Sequence, residues 1–293
     1  MSFLNSIPLI GNIKTRILKL VHKSIYLPGH YCSPIPDLKE ILVREDKLFD
    51  TSFLKIPGID INDNGQKELL KIFKSYHSDF PFKNLKEDNL DNRYYFKNGF
   101  FNKSDAFLLY SILRKFQPKR VIEVGSGYSS AVILDTNNLF LENRIENTFI
   151  EPYPKRLRSL LKKEDVNHQI IEKKVQEVGI EVFKKLEKDD ILFIDSSHIS
   201  KIGSDLNYLL FDIIPLLNPG VIIHFHDICY PFEYPKEWIL EGRFWNEAYL
   251  LKSFLMYNNC FEILLFNNYL STHHNEWLTE NLFHAKGPGG SIW

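Results

Sequence analysis

From Asn102 onward, short apolar runs alternate with stripes of apolar residues at helical spacing, a pattern that predicts a parallel sheet with helices on both faces. The strand candidates are residues 120–124, 147–151, 169–172, 191–195, 221–226 and 261–266. Several are uninterrupted apolar runs, as expected of parallel strands buried on both faces. Helices are expected near residues 128–138, 154–163, 177–187, 203–214 and 245–257. Another is expected over 104–116, opened by Ser104 as N-cap and closed ahead of Pro118.

The first ninety residues follow a different pattern. Ile13, Ile17, Leu20, Val21 and Ile25 recur at three- and four-residue spacing with Lys14, Arg16, Lys19 and Lys23 among them, which predicts a basic amphipathic helix. Such a helix either makes a peripheral contact with an anionic membrane surface or packs on the rest of the protein. Residues 27–65 are rich in Pro, Gly and Asp and read as loop with short helices; a helix over about 66–76 follows, and residues 79–92 are polar and aperiodic. The resulting organisation is an N-terminal helical and loop extension, 1–93, followed by an α/β domain, 94–293.

Composition narrows the function classes. A hydrophobic fraction of 44% with 25% charged residues is that of an ordinary globular protein, and no apolar run is long enough to span a bilayer. The formal net charge of -1 offers no basic face for phosphate, so a small-molecule acceptor is expected and nucleic acid is not. Cys32, Cys229 and Cys260 are odd in number and outside any CxxC pairing, which points away from a disulfide framework or cysteine zinc site. With no secretory signal order at the N-terminus, a cytoplasmic location is expected.

The candidate chemistry begins at residues 120–130, where a strand runs through Glu123, Gly125, Ser126 and Gly127 into a helix starting at Tyr128 and Ser129. The glycines permit a tight turn and close approach of a ligand to backbone. A dinucleotide-binding fingerprint would place its third glycine at position 130, which is Ser130 here. A carboxylate at Glu123 beside a pyrophosphate would be repelled by about 4 kcal/mol at roughly 4 Å and an effective dielectric of about 20. The same acid suits the ammonium and sulfonium of S-adenosylmethionine. Glu151, closing the second strand candidate, can accept from ribose hydroxyls, and Val175 with Gln176 can hold an adenine edge.

These residues, together with Asp195 after the fourth strand, resemble the motifs of class I S-adenosylmethionine-dependent methyltransferases over roughly residues 95–267. The resemblance implies a Rossmann-like, doubly wound, seven-stranded sheet, mostly parallel, whose antiparallel last strand Ser291–Trp293 would supply. The runs 193–198 and 218–227 are similar to small-molecule O-methyltransferases of sugar-tailoring and catechol type. Asp195, His198, His226 and Asp227 are the catalytic candidates, since open parallel sheets place ligands at the carboxyl ends of their strands. Relatives that use a metal carry aspartates at 195 and 227, so these two are candidate ligands for Mg²⁺. Such enzymes commonly add an amide or acid after the second aspartate, where this chain has Ile228. The alternative is direct general-base catalysis by His198 or His226.

The implied activity is O-methylation of a small hydroxylated acceptor such as a sugar or glycan precursor. An NAD-dependent oxidoreductase and a non-catalytic binding module of the same fold are the competing readings. The aromatic stretch Cys229–Trp238, followed by Phe244 and Trp245, either stacks on an acceptor or covers the sheet edge.

Overall fold

A computed structural model of the protein describes residues 25–88, 91–163, 165 and 167–293. The expected basic amphipathic helix lies outside the described residues except for Ile25. The chain divides into two compact units, residues up to Asp50 with Tyr234–Phe244 and residues Thr51–Glu233 with Trp245–Trp293. In the smaller unit are the short helices Leu38–Val43, whose N-cap Asp37 accepts from the Lys39 N–H, Glu45–Leu48 and Lys236–Leu240. Residues 51–93, placed with the extension on composition, cluster with the sheet in the larger unit.

The larger unit is built on five strands. In chain order its elements are α1 (Asp63–Phe73), α2 (Lys103–Phe116), β1 (Arg120–Val124), α3 (Tyr128–Phe140), β2 (Glu146–Ile150), α4 (Lys155–Leu160), β3 (His168–Ile171), β4 (Ile191–Ile194), β5 (Ile222–Phe225), α5 (Glu247–Leu255), α6 (Asn267–His273) and α7 (Asn275–Asn281). The strands lie in the order β3-β2-β1-β4-β5 and every pairing is parallel. β1 is central, and the order reverses between it and β4, which makes their carboxyl ends the natural ligand crevice.

Local signals explain much of this order. All four residues of β4 are buried, as its continuous apolar run requires. Helix α2 is capped by Asn102, whose side chain accepts from the Asp105 N–H, and not by Ser104. It ends at Gln117, left-handed at φ 47°, immediately before Pro118. The helix expected over 177–187 is instead two 3-10 turns, Val175–Glu177 and Ile180–Lys185, separated at Gly179. The helix expected over 203–214 is a turn capped by Ser204 that widens into a π segment, Tyr208–Ile213, and ends in a 3-10 turn through Pro215.

The expected seven-stranded sheet with an antiparallel last strand is corrected to five strands, all parallel. Ser291–Trp293 lie antiparallel between Phe225 and residues 264–267, joined by isolated bridges from Ile292 to Phe225 and Phe266 and by backbone bonds of Ser291 and Trp293 to Asn267, Leu264 and Leu265, without extending into a ladder, and residues 261–266 form no strand of their own. The carboxylate of Asp105 accepts from the N–H groups of Gly290 and Ser291 at 3.1 Å each and from the Ser291 hydroxyl.

No helix among the described residues is long and apolar enough to cross a membrane.

Candidate functional site

The glycine loop joins β1 to α3. Gly125 takes φ +82°, and a Cβ there would stand 1.9 Å from the carbonyl oxygen of Asp195, so only glycine lets β1 and β4 approach this closely. The three loop N–H groups bond within the protein: Gly125 to the Ile150 carbonyl at 3.0 Å, Ser126 to Glu151 Oε2 at 3.2 Å, and Gly127 to Ser130 Oγ at 3.0 Å. Glu151 also accepts from the Tyr153 N–H at 2.8 Å, so its carboxylate braces the loop from the end of β2.

Glu123 is placed otherwise than its charge suggested. It is fully buried and accepts from the hydroxyls of Ser129, at 2.5 Å, and Ser130. Burial pushes its carboxyl up to about 8, against the lowering effect of the two serines. Its charge is therefore suppressed near neutral pH and is not offered to a ligand. Tyr128 stands at the mouth of the loop, stacked on Phe100 at 5.8 Å, with the Arg156 guanidinium 3.7 Å above the same Phe100 ring. Val175 is buried and Gln176 donates to the Gly203 carbonyl at 2.9 Å; among the described residues neither bonds to the glycine loop.

Beyond the loop, Asp195, His198, His226 and Asp227 come together. His198 Nε2 lies 3.5 Å from Asp195 Oδ1 and 3.6 Å from Asp227 Oδ2; His226 Nδ1 lies 3.2 Å from Asp227 Oδ1 and 3.8 Å from Asp195 Oδ1. His198 and Asp227 hold left-handed backbone, φ 59° and 58°, a conformation that costs a non-glycine residue about 1–2 kcal/mol and persists where surrounding contacts fix it.

Each imidazole has a second carboxylate behind it, and sequence reasoning missed both. Glu247, buried at the start of α5, faces His198 Nδ1 at 2.7 Å. Asp105, buried in the first turn of α2, faces His226 Nε2 at 3.6 Å. On the sequence each is an ordinary first-turn acid of a helix, and nothing in its spacing marks it as buried. Trp245 packs its ring against His198 at 4.3 Å. His224, one turn of the pleat away, is sandwiched between Phe193 at 3.8 Å and Trp293 at 4.3 Å and stays outside the cluster.

Electrostatics follow from this crowding. Burial alone lowers an imidazole, but Asp195, Asp227 and Asp105 hold His226 well above its ordinary range. Burial likewise lowers His198, while Glu247 and the two aspartates raise it on balance. Asp195 is raised by burial; Asp227 is lowered because His226 outweighs its desolvation. Imidazolium protons thus supply the positive charge that four converging carboxylates require. The cluster can orient a polar acceptor, move a proton, or exchange those protons for a cation.

A separate cavity of about 600 Å³, lined by Gly220, Val221, Phe254, Phe261 and Trp293 among others, includes none of these four residues.

Comparison with known proteins bears on the same region. Residues 122–228 match the Methyltransf_24 family, described as a methyltransferase domain. An uncharacterized protein of Archaeoglobus fulgidus is 38% identical over 170 residues, covering 57% of this chain and 76% of that protein. A solved structure from Thermobifida fusca described as a methyltransferase is 14% identical, with a TM-score of 0.36 over 62% of this chain and 66% of that one, just under two thirds. Coclaurine N-methyltransferase bound to N-methylheliamine and SAH is 11% identical, with a TM-score of 0.35 over 83% of this chain and 76% of that one. At such TM-scores neither structure carries an inference about this chain's site.

Proposed function

Because the chain belongs to one family with the Archaeoglobus fulgidus protein and carries a methyltransferase domain over residues 122–228, we propose that it is an S-adenosylmethionine-dependent methyltransferase acting on a hydroxyl of a small acceptor, such as a sugar or glycan precursor. The observation that carries this reading is the convergence of Asp195, His198, His226 and Asp227 directly beyond the turn that Gly125 makes against Asp195. When bound, S-adenosylmethionine supplies an electrophilic methyl group on a sulfonium.

In this reading Glu151 and the loop at Gly125–Gly127 hold the cofactor, with Tyr128 at the mouth. Asp195 and Asp227 orient the acceptor hydroxyl. On methylation the acceptor hydroxyl would give up its proton to the cluster. Asp195, raised by burial, is the readier acceptor of the two aspartates. His226, held protonated by its three aspartates, keeps Asp227 ionised. The carboxylates of Asp195 and Asp227 also fit a divalent cation, which would lower the pKa of a hydroxyl bound beside them.

Calorimetry with S-adenosylmethionine and transfer of its labelled methyl group to a panel of sugars and sugar nucleotides test the proposal. Asp195→Asn should retain cofactor binding within about threefold and lose roughly 10²–10⁴-fold in turnover, the usual span for a proton-transfer group. A folded wild-type protein that binds no S-adenosylmethionine would sink the reading.

A further inference from the structure

We infer that the carboxyl end of the sheet is a three-ligand site for a first-row divalent transition cation, in which His198 Nε2 joins Asp195 and Asp227 and selects Mn²⁺, Co²⁺ or Zn²⁺ over Mg²⁺. The inference rests on the reading of Asp195 and Asp227 as functional, and not on a bound methyl donor.

One ligand atom each from Asp195, His198 and Asp227 lies within 4.8 Å of the others. A cation with bonds of about 2.0–2.2 Å sets neighbouring ligands roughly 3–3.5 Å apart. The distances of 3.5 and 3.6 Å from His198 Nε2 to the two aspartates are already close to that spacing. Among the described residues the other charged partner of both aspartates is His226, whose Nδ1 lies 3.2 Å from Asp227 Oδ1 and 3.8 Å from Asp195 Oδ1. Two acids and a ring nitrogen therefore converge on one point.

The imidazole is aimed there from behind. Glu247, 1% exposed, takes His198 Nδ1 at 2.7 Å and so turns Nε2 toward the aspartates. This is the carboxylate–histidine relay that orients and strengthens metal-bound imidazoles. Backbone bonds from the Asn246 and Glu247 N–H groups to the His198 carbonyl, at 3.1 and 3.2 Å, fix the relation between the two residues.

A second, independent observation points the same way. His226 is 6% exposed, and its ring nitrogens, paired by charge with Asp227, Asp195 and Asp105 at 3.2, 3.8 and 3.6 Å, are not aligned for a full hydrogen bond to any of them. A buried ring so placed on the wall of the cluster leaves its hydrogen bonding to be completed by an oxygen of a bound ligand.

The third ligand also explains a departure in the sequence. Where a metal-binding relative would place an amide or acid after the second aspartate, this chain has Ile228, fully buried and unable to ligate. His198 supplies the missing donor from the β4 side, and changes its element from oxygen to nitrogen. Mg²⁺ keeps to oxygen ligands and dehydrates reluctantly, whereas imidazole suits the borderline transition cations. With three protein ligands, the remaining positions are open to the oxygens of an acceptor.

The test uses the full chain stripped with a chelator. Calorimetry with MnCl₂ alone and MgCl₂ alone should give at least about tenfold tighter binding of Mn²⁺, and pulsed EPR of the Mn²⁺-loaded protein should show nitrogen coupling from an imidazole. His198→Ala and His198→Gln should abolish that coupling, with circular dichroism confirming the fold. Glu247→Gln should keep it while weakening Mn²⁺ roughly 10–100-fold. Equal affinities for Mn²⁺ and Mg²⁺, absence of nitrogen coupling in the wild type, or coupling that survives in both His198 variants would overturn the inference. S-adenosylmethionine titrated into the same samples separates the two readings. Loss of cofactor binding with coupling intact refutes the proposed function alone; cofactor binding without coupling refutes the cation site alone.

Discussion

Replacing Gly125 with alanine adds one methyl group at the tightest point of the glycine loop. The new Cβ would stand 1.9 Å from the Asp195 carbonyl oxygen, against about 3.3 Å for an ordinary close carbon–oxygen contact. The obstacle is backbone and cannot rotate away, and Asp195 is itself anchored by its N–H to the Val124 carbonyl at 2.9 Å. The loop and the end of β4 must therefore separate by more than about 1 Å. The φ of +82° adds roughly 1–2 kcal/mol for any residue with a Cβ. With the clash included, the loss should exceed about 2 kcal/mol, which is a fall of roughly 3 °C or more in Tm for a protein of this size. Displacing Asp195 by about 1 Å should cost on the order of 10²-fold in turnover.

Gly127 provides the internal control. Its φ of -177° is extended backbone open to any residue, and an added Cβ would meet only the flexible Arg156 side chain, at 3.3 Å. Gly127→Ala should therefore cost less than about 1 kcal/mol. Scanning calorimetry and cofactor titration of the two variants side by side give the comparison. Wild-type Tm and affinity in Gly125→Ala, or equal damage from both substitutions, would refute the account of the loop.

Arg93 is 2% exposed at its side chain and bridges Asp135 and Asp165. Arg93→Ala strands buried Asp135 without its cation, so urea denaturation should show a loss of roughly 3–5 kcal/mol; a loss under about 1 kcal/mol would contradict the burial of that pair. Glu123 holds its proton in the folded state up to about pH 8, whereas the unfolded chain releases it near its ordinary value of about 4.3. The folded state thus binds more protons across that window, and this group's contribution to stability falls as pH rises through it, by up to about 1.4 kcal/mol per pH unit. In Glu123→Gln, thermal melts from pH 5 to 8 should lack this share of the decline; an identical slope would show that the carboxyl is ionised in the fold.

The parts legible in the sequence were those set by local patterns. β4 shows as a fully apolar run and β1, β2, β3 and β5 as short runs with apolar residues toward their carboxyl ends, and the loop at Gly125 shows as glycine between strand and helix. That Asp195, His198, His226 and Asp227 gather at one end of the sheet is legible because each follows or closes one of the neighbouring parallel strands β4 and β5. Long-range pairings left no such trace. Asp105 lies 185 residues from Gly290, whose N–H it accepts beside the antiparallel bridges of Ile292. Glu247 reaches back 49 residues to His198, and Asp135 sits in an apolar helix as the partner of Arg93, 42 residues away. A buried acid and an exposed one read alike until the group that satisfies it is known.

The same distinction changes how the loop discriminates between cofactors. Read along the chain, Glu123 and Ser130 are separate arguments against a dinucleotide, one from charge and one from a missing glycine. Folded, they are one unit, because Ser130 donates to Glu123 in β1 and accepts from the Gly127 N–H. Burial removes most of the charge argument, since a carboxyl pushed up to about 8 repels a phosphate little at neutral pH. What replaces it is the state of the amides. A pyrophosphate needs free N–H groups at the turn and at the helix start, and those of Gly125, Ser126 and Gly127 are already bonded to Ile150, Glu151 and Ser130. A cationic ligand needs acceptors and loses nothing when those donors are engaged. The loop therefore favours S-adenosylmethionine over NAD through its internal hydrogen bonds, and Ser130→Gly, which frees the Gly127 amide, is the substitution that should weaken that preference.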